Sequence, residues 1–272
     1  MKLLRMCCLV LPLFALTAYA DVLGSADAFA VLGASAVTNT GPSVIWGDLG
    51  VYPGTSITGF PPGIVHGSTH NDDGVAMQAQ ADALTAYNFL AGLSFNQDLT
   101  GQDLGGKTLD PGVYFFSSSA QLTGALTLDF QGLSNAMIVF QIGSTLTTAS
   151  ASSVNIINAG NNDEVFWQVG SSATLGTTTD FYGSIIADQS ITLTTGADVN
   201  CGRVIALNGA VTLDTNTINT GNCAGTTGTT PEPGTIALVA TGGAIAAGAN
   251  SSNFSFWGLG ASIPAFFRKR KR

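Results

Sequence analysis

The sequence predicts a mainly β fold in which short strands repeat along the chain as coils of a β-solenoid, with one long α-helix packed along a face. Three observations lead to this prediction. Thr-Leu segments recur at a nearly constant spacing, only 10% of the 272 residues are charged, and 34 residues are glycine. Few charges and many small residues are typical of closely spaced, repetitive β structure.

The repeated segments define the length of a coil. Residues 137–148, 165–177, 183–195 and 203–215 each contain an apolar strand, a corner of small residues and a Thr-Leu strand, and a weaker copy ends at residues 126–129. Their central leucines are Leu128, Leu146, Leu175, Leu193 and Leu213, which are 18, 29, 18 and 20 residues apart. The interval of 29 contains an insertion near residues 158–162. A repeat of this length with three strands is one coil of a solenoid.

The helix is predicted at residues 73–93. Apolar side chains repeat there at helical spacing, namely Ala76, Ala79, Ala83, Tyr87 and Leu90. Asn71 or Asp72 can cap its first turn. We expect the helix to cover the face that contains residues 139–140, 166–167, 185–186 and 204–205, because these strands are apolar on both sides. Residues 53–70 are rich in Pro and Gly and are predicted to form a loop or cap.

The charge distribution argues against a nucleic-acid partner. Seven of the nine Lys and Arg residues lie within the first five or the last five positions, whereas the body carries nearly all of the 17 acidic residues. Lys107 and Arg203 are the two basic residues of that body. An acidic surface repels a phosphate backbone.

The N-terminus has the features of a signal peptide at residues 1–20. Lys2 and Arg5 precede an apolar run, and a small-x-small cleavage site ends before Asp21. The predicted location is therefore secreted, extracellular or at the cell surface. The mature solenoid domain is predicted at residues 21–223, followed by a linker with a Pro-Glu-Pro motif at residues 224–234.

The cysteine count is compatible with one disulfide. Two of the four cysteines, Cys7 and Cys8, leave with the signal peptide. Cys201 and Cys223 remain as one pair in an exported domain, where a disulfide closing the last coil is expected. Two free thiols are the alternative.

The Thr-Leu strands contain the candidate binding site. If each leucine points into the core, its neighbours point outward. The threonines before the leucines are Thr127, Thr145, Thr174, Thr192 and Thr212, those after them are Thr147 and Thr194, and Thr177, Thr195 and Thr215 lie at the corner. Coils stack about 4.8 Å apart and alternate residues lie roughly 6.6 Å apart, so the threonines form a lattice. Because Thr is stiff at χ1, such a lattice can order water into an ice-like pattern. A ladder that only stabilises the sheet is the alternative.

Two other clusters indicate competing functions. His66 and His70 have the spacing of half a metal site on a helix, but the Pro and Gly residues around them argue against a helix. Asp180 and Asp198 lie one repeat apart and could act as the carboxylate pair of a polysaccharide-cleaving enzyme. No basic residue or aromatic groove accompanies them, so solvated edge residues or a weak calcium site are the alternatives. We therefore expect no catalytic residue, metal site or cofactor.

Several stretches of the chain, in order, resemble the microbial ice-binding (antifreeze) proteins built on a discontinuous β-solenoid. The resemblance extends from about residue 23 to residue 223. It rests on residues 23–33, 47–54, 57–63, 109–114, 165–169 and 210–214. It implies a right-handed triangular solenoid with a long helix along one face, and an uncovered flat face that binds an ice crystal surface. The Thr-Ala/Gly-x-Thr/Asn steps of that family are matched only in part here.

The C-terminal part, residues 235–272, resembles a PEP-CTERM sorting signal with its apolar segment and basic tail. The resemblance implies transient membrane contact and a sorting protease as a partner, with a permanent anchor as the alternative. An adhesin of the cell surface or the biofilm matrix, with an exopolysaccharide matrix as partner, is the alternative function on the same scaffold.

Overall fold

The computed structural model describes residues 22–221 and Cys223. The predicted signal peptide, linker and C-terminal tail lie outside the described residues. Within them, no helix is long and apolar enough to span a membrane.

The described chain forms many short strands. Their bounds are β1 Phe29–Gly33, β2 Ala36–Thr40, β3 Val44–Trp46, β4 Asp48–Val51, β5 Ser56–Thr58, β6 Ile64–Val65, β7 Thr69–Asn71, β8 Gln97–Asp98, β9 Thr108–Leu109, β10 Gly112–Phe116, β11 Ala120–Leu122, β12 Ala125–Asp129, β13 Met137–Ile142, β14 Leu146–Thr148, β15 Ser153–Ile157, β16 Glu164–Val169, β17 Ala173–Leu175, β18 Asp180–Tyr182, β19 Ser184–Ala187, β20 Ile191–Leu193, β21 Asp198–Asn200, β22 Val204–Ala206, β23 Ala210–Asp214 and β24 Thr217–Asn219. One α-helix, α1 Gly74–Ala91, and a 3-10 helix, Gly24–Ala28, complete the described elements.

The strands build three sheets with parallel pairing. Sheet A has the spatial order β7-β4-β1-β22-β19-β16-β13-β10-β8, sheet B the order β11-β14-β17-β20-β23-β2-β5, and sheet C the order β6-β3-β24-β21-β18-β15-β12-β9. Three consecutive strands, such as β16, β17 and β18, contribute one strand to each sheet. We call such a triplet a coil. This arrangement confirms the predicted repeat of three short strands.

The coils do not stack in chain order. The first coil, β1 to β3, pairs on one side with the last coil, β22 to β24, and on the other with β4 to β6. After β7 the chain runs through α1 to the opposite end of the stack, where β8 pairs with β10. From that end the remaining coils stack one after another until the last coil lies beside the first.

The core lies between the three sheets and is filled by the inward side chains of every coil. Aromatic rings form its centre, where Phe140 and Trp167 are stacked with ring centroids 3.9 Å apart. Trp167 Nε1 donates to the carbonyl oxygen of Tyr182 at 3.0 Å, which satisfies the one polar atom of this buried ring. Parallel in-register strands bring like side chains together, so the core is close-packed along the whole stack.

The helix covers sheet A, as predicted. Its small buried residues, Ala76, Ala79, Ala83, Ala86 and Leu90, pack against outward side chains of sheet A such as Val139, Phe166, Ile186 and Ile205. Gln141 on sheet A donates from its amide to the carbonyl oxygens of Leu90 and Leu93, at 2.7 and 2.8 Å. The end of the helix is thereby fixed to the sheet.

One local prediction about the helix region was wrong. The N-cap is Asp73, whose carboxylate accepts hydrogen bonds from Val75 N and Ala76 N, and neither Asn71 nor Asp72 has this role. Residues 53–70, predicted to form a loop or cap, contain β5, β6 and the start of β7, which are terminal strands of sheets B, C and A and so cap one end of the stack. Pairing of β5 and β6 with the first coil, and of β7 with β4, supplies the hydrogen bonds that this Pro- and Gly-rich segment lacks by itself.

The last coil is joined to the end of the described chain by a disulfide between Cys201 and Cys223. This is the pair that remains in the sequence after the signal peptide. Arg203 pairs with Asp27 nearby, so a residue of the last coil contacts the N-terminal 3-10 helix. The beginning and the end of the described chain are therefore neighbours.

Candidate functional site

The outer face of sheet B carries a column of threonines. On the strands of this sheet other than the terminal strand β5, an outward residue stands between two inward, buried residues, as in Ile191-Thr192-Leu193. The register aligns these outward residues from coil to coil in the order Gln121, Thr147, Thr174, Thr192, Thr212, Thr38 and Thr58. Six of the seven positions are threonine, and no described helix covers them. We call these six residues the threonine column.

The threonine column is continued at the edge of sheet B by a second row. Backbone hydrogen bonds join Thr178 N to Thr195 O, Gly196 N to Asp214 O, and Thr215 N to Thr40 O, at 2.9 to 3.1 Å. The row therefore contains Thr177, Thr195, Asp214 and Thr40. Because it runs beside the threonine column, the outer face of sheet B has two rows of short polar side chains.

The threonine hydroxyl groups at this edge donate hydrogen bonds to neighbouring residues. Thr195 Oγ1 donates to Asp214 Oδ2, and Thr215 Oγ1 donates to Asp214 Oδ1 at 3.1 Å. Thr194 is half-buried and its hydroxyl donates to the carbonyl oxygen of Leu175 at 2.8 Å. Thr215 has a positive φ of 58°, so it belongs to the turn rather than to the flat face. Asp214 thus takes a position that threonine has in neighbouring coils.

The register of the coils that was predicted from the repeated leucines was wrong in two coils. Leu146 pairs with Ala173 rather than with Leu175, so Thr147 lies in the threonine column and Thr145 lies two positions before it. The hydroxyl of Thr145 donates to Ser119 Oγ at 2.8 Å. Thr127 belongs to β12 in sheet C, between Thr108 and Asn155, and is not on sheet B.

Two members of the column, Thr38 and Thr58, were not identified from the sequence. A signal was present, since Ala36-Val-Thr-Asn-Thr40 begins like Ala210-Val-Thr-Leu-Asp214. The two segments pair residue for residue in β2 and β23, and Thr38 Oγ1 lies 3.4 Å from Thr212 Oγ1. The N-terminal coils therefore extend the same face.

Buried polar groups hold the corner between sheets B and C. Ser43 Oγ donates to Asn39 Oδ1 at 2.5 Å and accepts from Asn216 N at 2.9 Å. The amide of Asn216 donates to the carbonyl oxygens of Thr194 and Ala197, at 2.9 and 2.8 Å. These bonds cross three coils. They fix the backbone from which the outer rows project, because a satisfied polar network admits few alternative arrangements.

The same corner continues in the neighbouring coils through Thr148. This side chain is buried, takes the inward position beside Leu122, and lies 2.8 Å from Thr179 Oγ1. Its hydroxyl also accepts from Gly176 N at 2.8 Å. No buried side-chain nitrogen or oxygen among the described residues lacks a hydrogen-bond partner.

Neither of the two competing clusters, His66 with His70 and Asp180 with Asp198, is part of the threonine column. His66 stacks on Trp46, whereas His70 bonds through Nδ1 to Asp73 at 2.8 Å. No group of three metal-binding side chains occurs within residues 22–221 and Cys223. Asp180 and Asp198 do pair in register on sheet C, as their spacing predicts. Burial raises the pKa of Asp198, and the charge of Asp180 raises it further, whereas the hydrogen bond from Thr217 N lowers it.

The chain is similar in sequence to ice-binding proteins. A family described as "Ice-binding-like" matches residues 31–219. An ice-binding protein of Nostoc sp. (strain HG1) is 63% identical over 199 residues, which covers 73% of this chain and 74% of that protein. An ice-binding protein of Colwellia sp is 32% identical over 216 residues, covering 74% and 84% of the two chains.

Solved structures are similar as well. The ice-binding protein of the Antarctic ascomycete Antarctomyces psychrotrophicus matches with a TM-score of 0.70 and 43% identity, over 75% of this chain and 98% of that chain. An ice-binding protein with antifreeze activity from an Arctic yeast matches with a TM-score of 0.66 and 32% identity, over 74% and 95%. These relatives are ice-binding proteins rather than enzymes. Since the family match spans most of the described residues, the chain belongs to the ice-binding-like family.

Proposed function

We propose that this protein adsorbs to ice through the outer face of sheet B. The observation that carries the proposal is the threonine column, in which Thr147, Thr174, Thr192, Thr212, Thr38 and Thr58 follow one another without interruption. Similarity to named ice-binding proteins supports it. Adsorbed molecules pin the growing ice front between them, which lowers the freezing point and inhibits recrystallisation.

The spacing of the column supports a surface that orders water. Strands of a sheet lie about 4.8 Å apart, and alternate residues within a strand roughly 6.6 Å, so threonines on two rows repeat in two directions. Restricted χ1 rotation keeps each methyl and hydroxyl in place. The methyl groups limit competing hydration, and the hydroxyls hold ordered water that can join the crystal.

Rigidity is the second requirement, because a lattice must keep its spacing. The buried hydrogen bonds of Asn39, Ser43 and Asn216 hold the backbone rigid at the edge of the face. The overall shape that we propose is a right-handed triangular β-solenoid, with sheet A covered by the helix and sheet B flat and open.

Thr177 and Thr195 belong to the proposed site as part of the edge row, Thr215 lies in the turn beside this row, and Thr194 supports the row from beneath. Thr145 belongs to the outward position next to Ser119, at the margin of the face. We further propose that the protein acts outside the cell, after removal of residues 1–20, and that residues 235–272 serve sorting or anchoring.

The test replaces one central threonine. In Thr192→Tyr a bulky ring projects from the middle of the column without entering the core, so the surface is no longer flat. We expect thermal hysteresis of the purified protein to fall to less than about a tenth of the wild-type value, with an unchanged circular dichroism spectrum and melting temperature. Hysteresis and ice recrystallisation are measured under a cold-stage microscope.

Thr127→Tyr is the matched control, because it makes the same replacement at an outward position of sheet C. We expect it to retain wild-type hysteresis. If the control loses activity and Thr192→Tyr keeps it, the ice-binding face is sheet C. Wild-type protein that is folded but leaves ice crystals round and free to recrystallise would contradict ice binding altogether.

A further inference from the structure

The outer face of sheet C differs from the threonine column in its chemistry. The register aligns Tyr182, Asn200, Asn219 and Trp46 in four successive coils, and the ring of His66 follows next to Trp46. Tyr182 is buried, whereas the other four side chains are at least partly exposed. We call these five residues the amide-aromatic column. All five side chains end in a planar group, and each of them can donate a hydrogen bond, His66 from one ring nitrogen in either tautomer.

Trp46 and His66 form an aromatic platform at one end of this column. Their rings are parallel to within 8° and their centroids are 3.7 Å apart. The indole is nonetheless 45% exposed. Its Nε1 and both ring nitrogens of His66 bond to no described residue, so a partly exposed indole ring and unpartnered polar groups lie side by side. An exposed ring that is held rigid loses little entropy when a ligand stacks on it.

The amides next to the platform are positioned by hydrogen bonds that use only one of their ends. Asn219 Oδ1 accepts from Gly221 N at 2.9 Å, which leaves its NH₂ group without a described partner. Asn200 Nδ2 donates to Asp180 Oδ1 at 2.7 Å, and its Oδ1 has no described hydrogen-bond partner. The column therefore offers donors and acceptors at fixed positions.

An open concavity lies beside the other end of the column. It is lined by Asn155, Ile156, Asp180, Tyr182 and Asn200, among others. The concavity at one end of the column and the aromatic platform at the other, with the amides of Asn200 and Asn219 between them, suit an extended chain of polar units with apolar faces. Pyranose rings have this character, because their axial C–H groups form an apolar face and their hydroxyls lie at the rim.

The charge on this face selects against anionic polymers. Asp180 and Asp198 stand beside the column. The two Lys and Arg side chains of the described residues are engaged elsewhere, since Lys107 bonds to Gln102 and Arg203 pairs with Asp27. An anionic polysaccharide would meet carboxylates without a compensating cation.

We infer that the amide-aromatic column binds a neutral polysaccharide, with Trp46 as the stacking residue and Asn200 and Asn219 as hydrogen-bonding residues. This function goes beyond ice binding and uses a different sheet. It would allow the protein to be held in a glycan matrix while sheet B remains free for ice.

The experiment is affinity electrophoresis of the purified protein in gels that contain hydroxyethyl cellulose, a neutral β-glucan. We expect retardation by the neutral polymer and none by carboxymethyl cellulose, its anionic counterpart. Trp46→Ala should weaken the retardation constant by about tenfold, as expected for loss of a central aromatic contact. Asn219→Leu should weaken it as well.

Phe95→Ala is the matched control, because Phe95 is also an exposed ring, 51% accessible and stacked on Phe115, but lies at the opposite end of the stack. It should keep full retardation. Trp46→Phe should restore most of the binding that Trp46→Ala loses. Tryptophan fluorescence of the wild type should shift on addition of hydroxyethyl cellulose, and the shift should be absent in Trp46→Phe.

Absence of retardation in the neutral gel, or equal retardation of wild type and Trp46→Ala, would overturn the inference. The ice assay on the same samples separates the two functions. Trp46→Ala should retain wild-type hysteresis, and Thr192→Tyr should retain wild-type retardation. If one variant loses both activities, a common surface rather than two separate faces is responsible.

Discussion

At the scale of single residues, the protonation of one carboxyl group, that of Asp198, affects the stability of the folded protein. Asp198 is half-buried beside Asp180 on the adjacent strand, and it accepts a hydrogen bond from Thr217 N at 2.6 Å. Burial and the neighbouring charge both favour its protonated form, so its pKa in the folded protein is above the ordinary value of 3.8. The folded protein therefore binds this proton more tightly than the unfolded chain does. That contribution to stability is complete below pH 3.8 and is lost as the pH rises through the raised pKa.

Asp198→Asn removes the unfavourable charge and keeps an oxygen that can accept from Thr217. We expect its melting temperature at pH 7 to exceed that of the wild type by about 1–2 °C, a small gain because the pair is partly solvated. The difference should disappear near pH 3, where the wild-type carboxyl is protonated. Scanning calorimetry at the two pH values measures it. Asp110→Asn, at an exposed position, is the control, and a difference that grows at low pH would contradict the assignment.

Single residues also decided which threonines could be identified from sequence. Strand alternation correctly predicted that Thr174, Thr192 and Thr212 share one face, because their coils repeat with the same inward leucine. The coil of Thr147 departs from this pattern, since the inward position next to Leu122 is taken by Thr148 rather than by leucine. Its hydroxyl is satisfied by partners from another coil, and a linear sequence gives no sign of them.

At the scale of elements, the helix covers sheet A, and its first turn is capped by Asp73. The carboxylate of Asp73 accepts from two backbone N–H groups and contacts His70. These hydrogen bonds, that from Ala76 first and that from His70 next, lower the pKa of Asp73. The stabilisation by this cap is thus present above pH 3.8 and is lost as the pH falls through the lowered pKa.

Asp73→Ala removes the cap from a helix on the covered sheet. We expect the melting temperature to fall by about 2–4 °C, as is usual for loss of a cap in a domain of this size, while hysteresis per folded molecule stays at the wild-type level. Asp73→Asn, which retains a capping oxygen, should lose less. If Asp73→Ala abolished hysteresis without unfolding, the helix face would have a direct part in ice binding.

Elements differed in how well the sequence predicted them. The helix was predicted because alanines at 3.6-residue spacing form a narrow apolar stripe that fits a flat sheet. The strands β5, β6 and β7 were predicted as loop or cap, because they are two or three residues long and lie in a Pro- and Gly-rich segment. Their strand conformation depends on pairing with β2, β3 and β4, which is a tertiary effect.

At the scale of the whole molecule, the three sheets divide the surface into faces of different chemistry. Sheet A is covered by α1, sheet B presents the threonine column, and sheet C presents the amide-aromatic column. Repetition of one coil explains this division, since each outward position of the repeat becomes a row along the stack. The coil repeat was evident in the sequence. The position of the first coil beside the last was not, since the local pattern of a coil does not specify which coil pairs with it.

The juxtaposition of the first and last coils has a consequence for how the polypeptide acquires its structure. Val31 pairs with Val204, and Cys223 shares a surface depression with Asp27. A chain circularly permuted to begin at residue 97, with residues 223 and 22 joined by a short Gly-Ser linker, would meet its coils in spatial order and finish with the helix. Contacts that now span most of the sequence would become local.

Such a permutant should refold faster than the parent, by about tenfold or more, because fewer distant segments must find each other before the stack can grow. Stopped-flow fluorescence after dilution from denaturant measures the rate, with the disulfide kept oxidised in both proteins. Its hysteresis should equal that of the parent, since every row is preserved. An equal or slower rate would mean that growth of the stack is limited by a step common to both chain orders. A faster rate would show that the natural chain order slows folding, although the folded structure does not depend on that order.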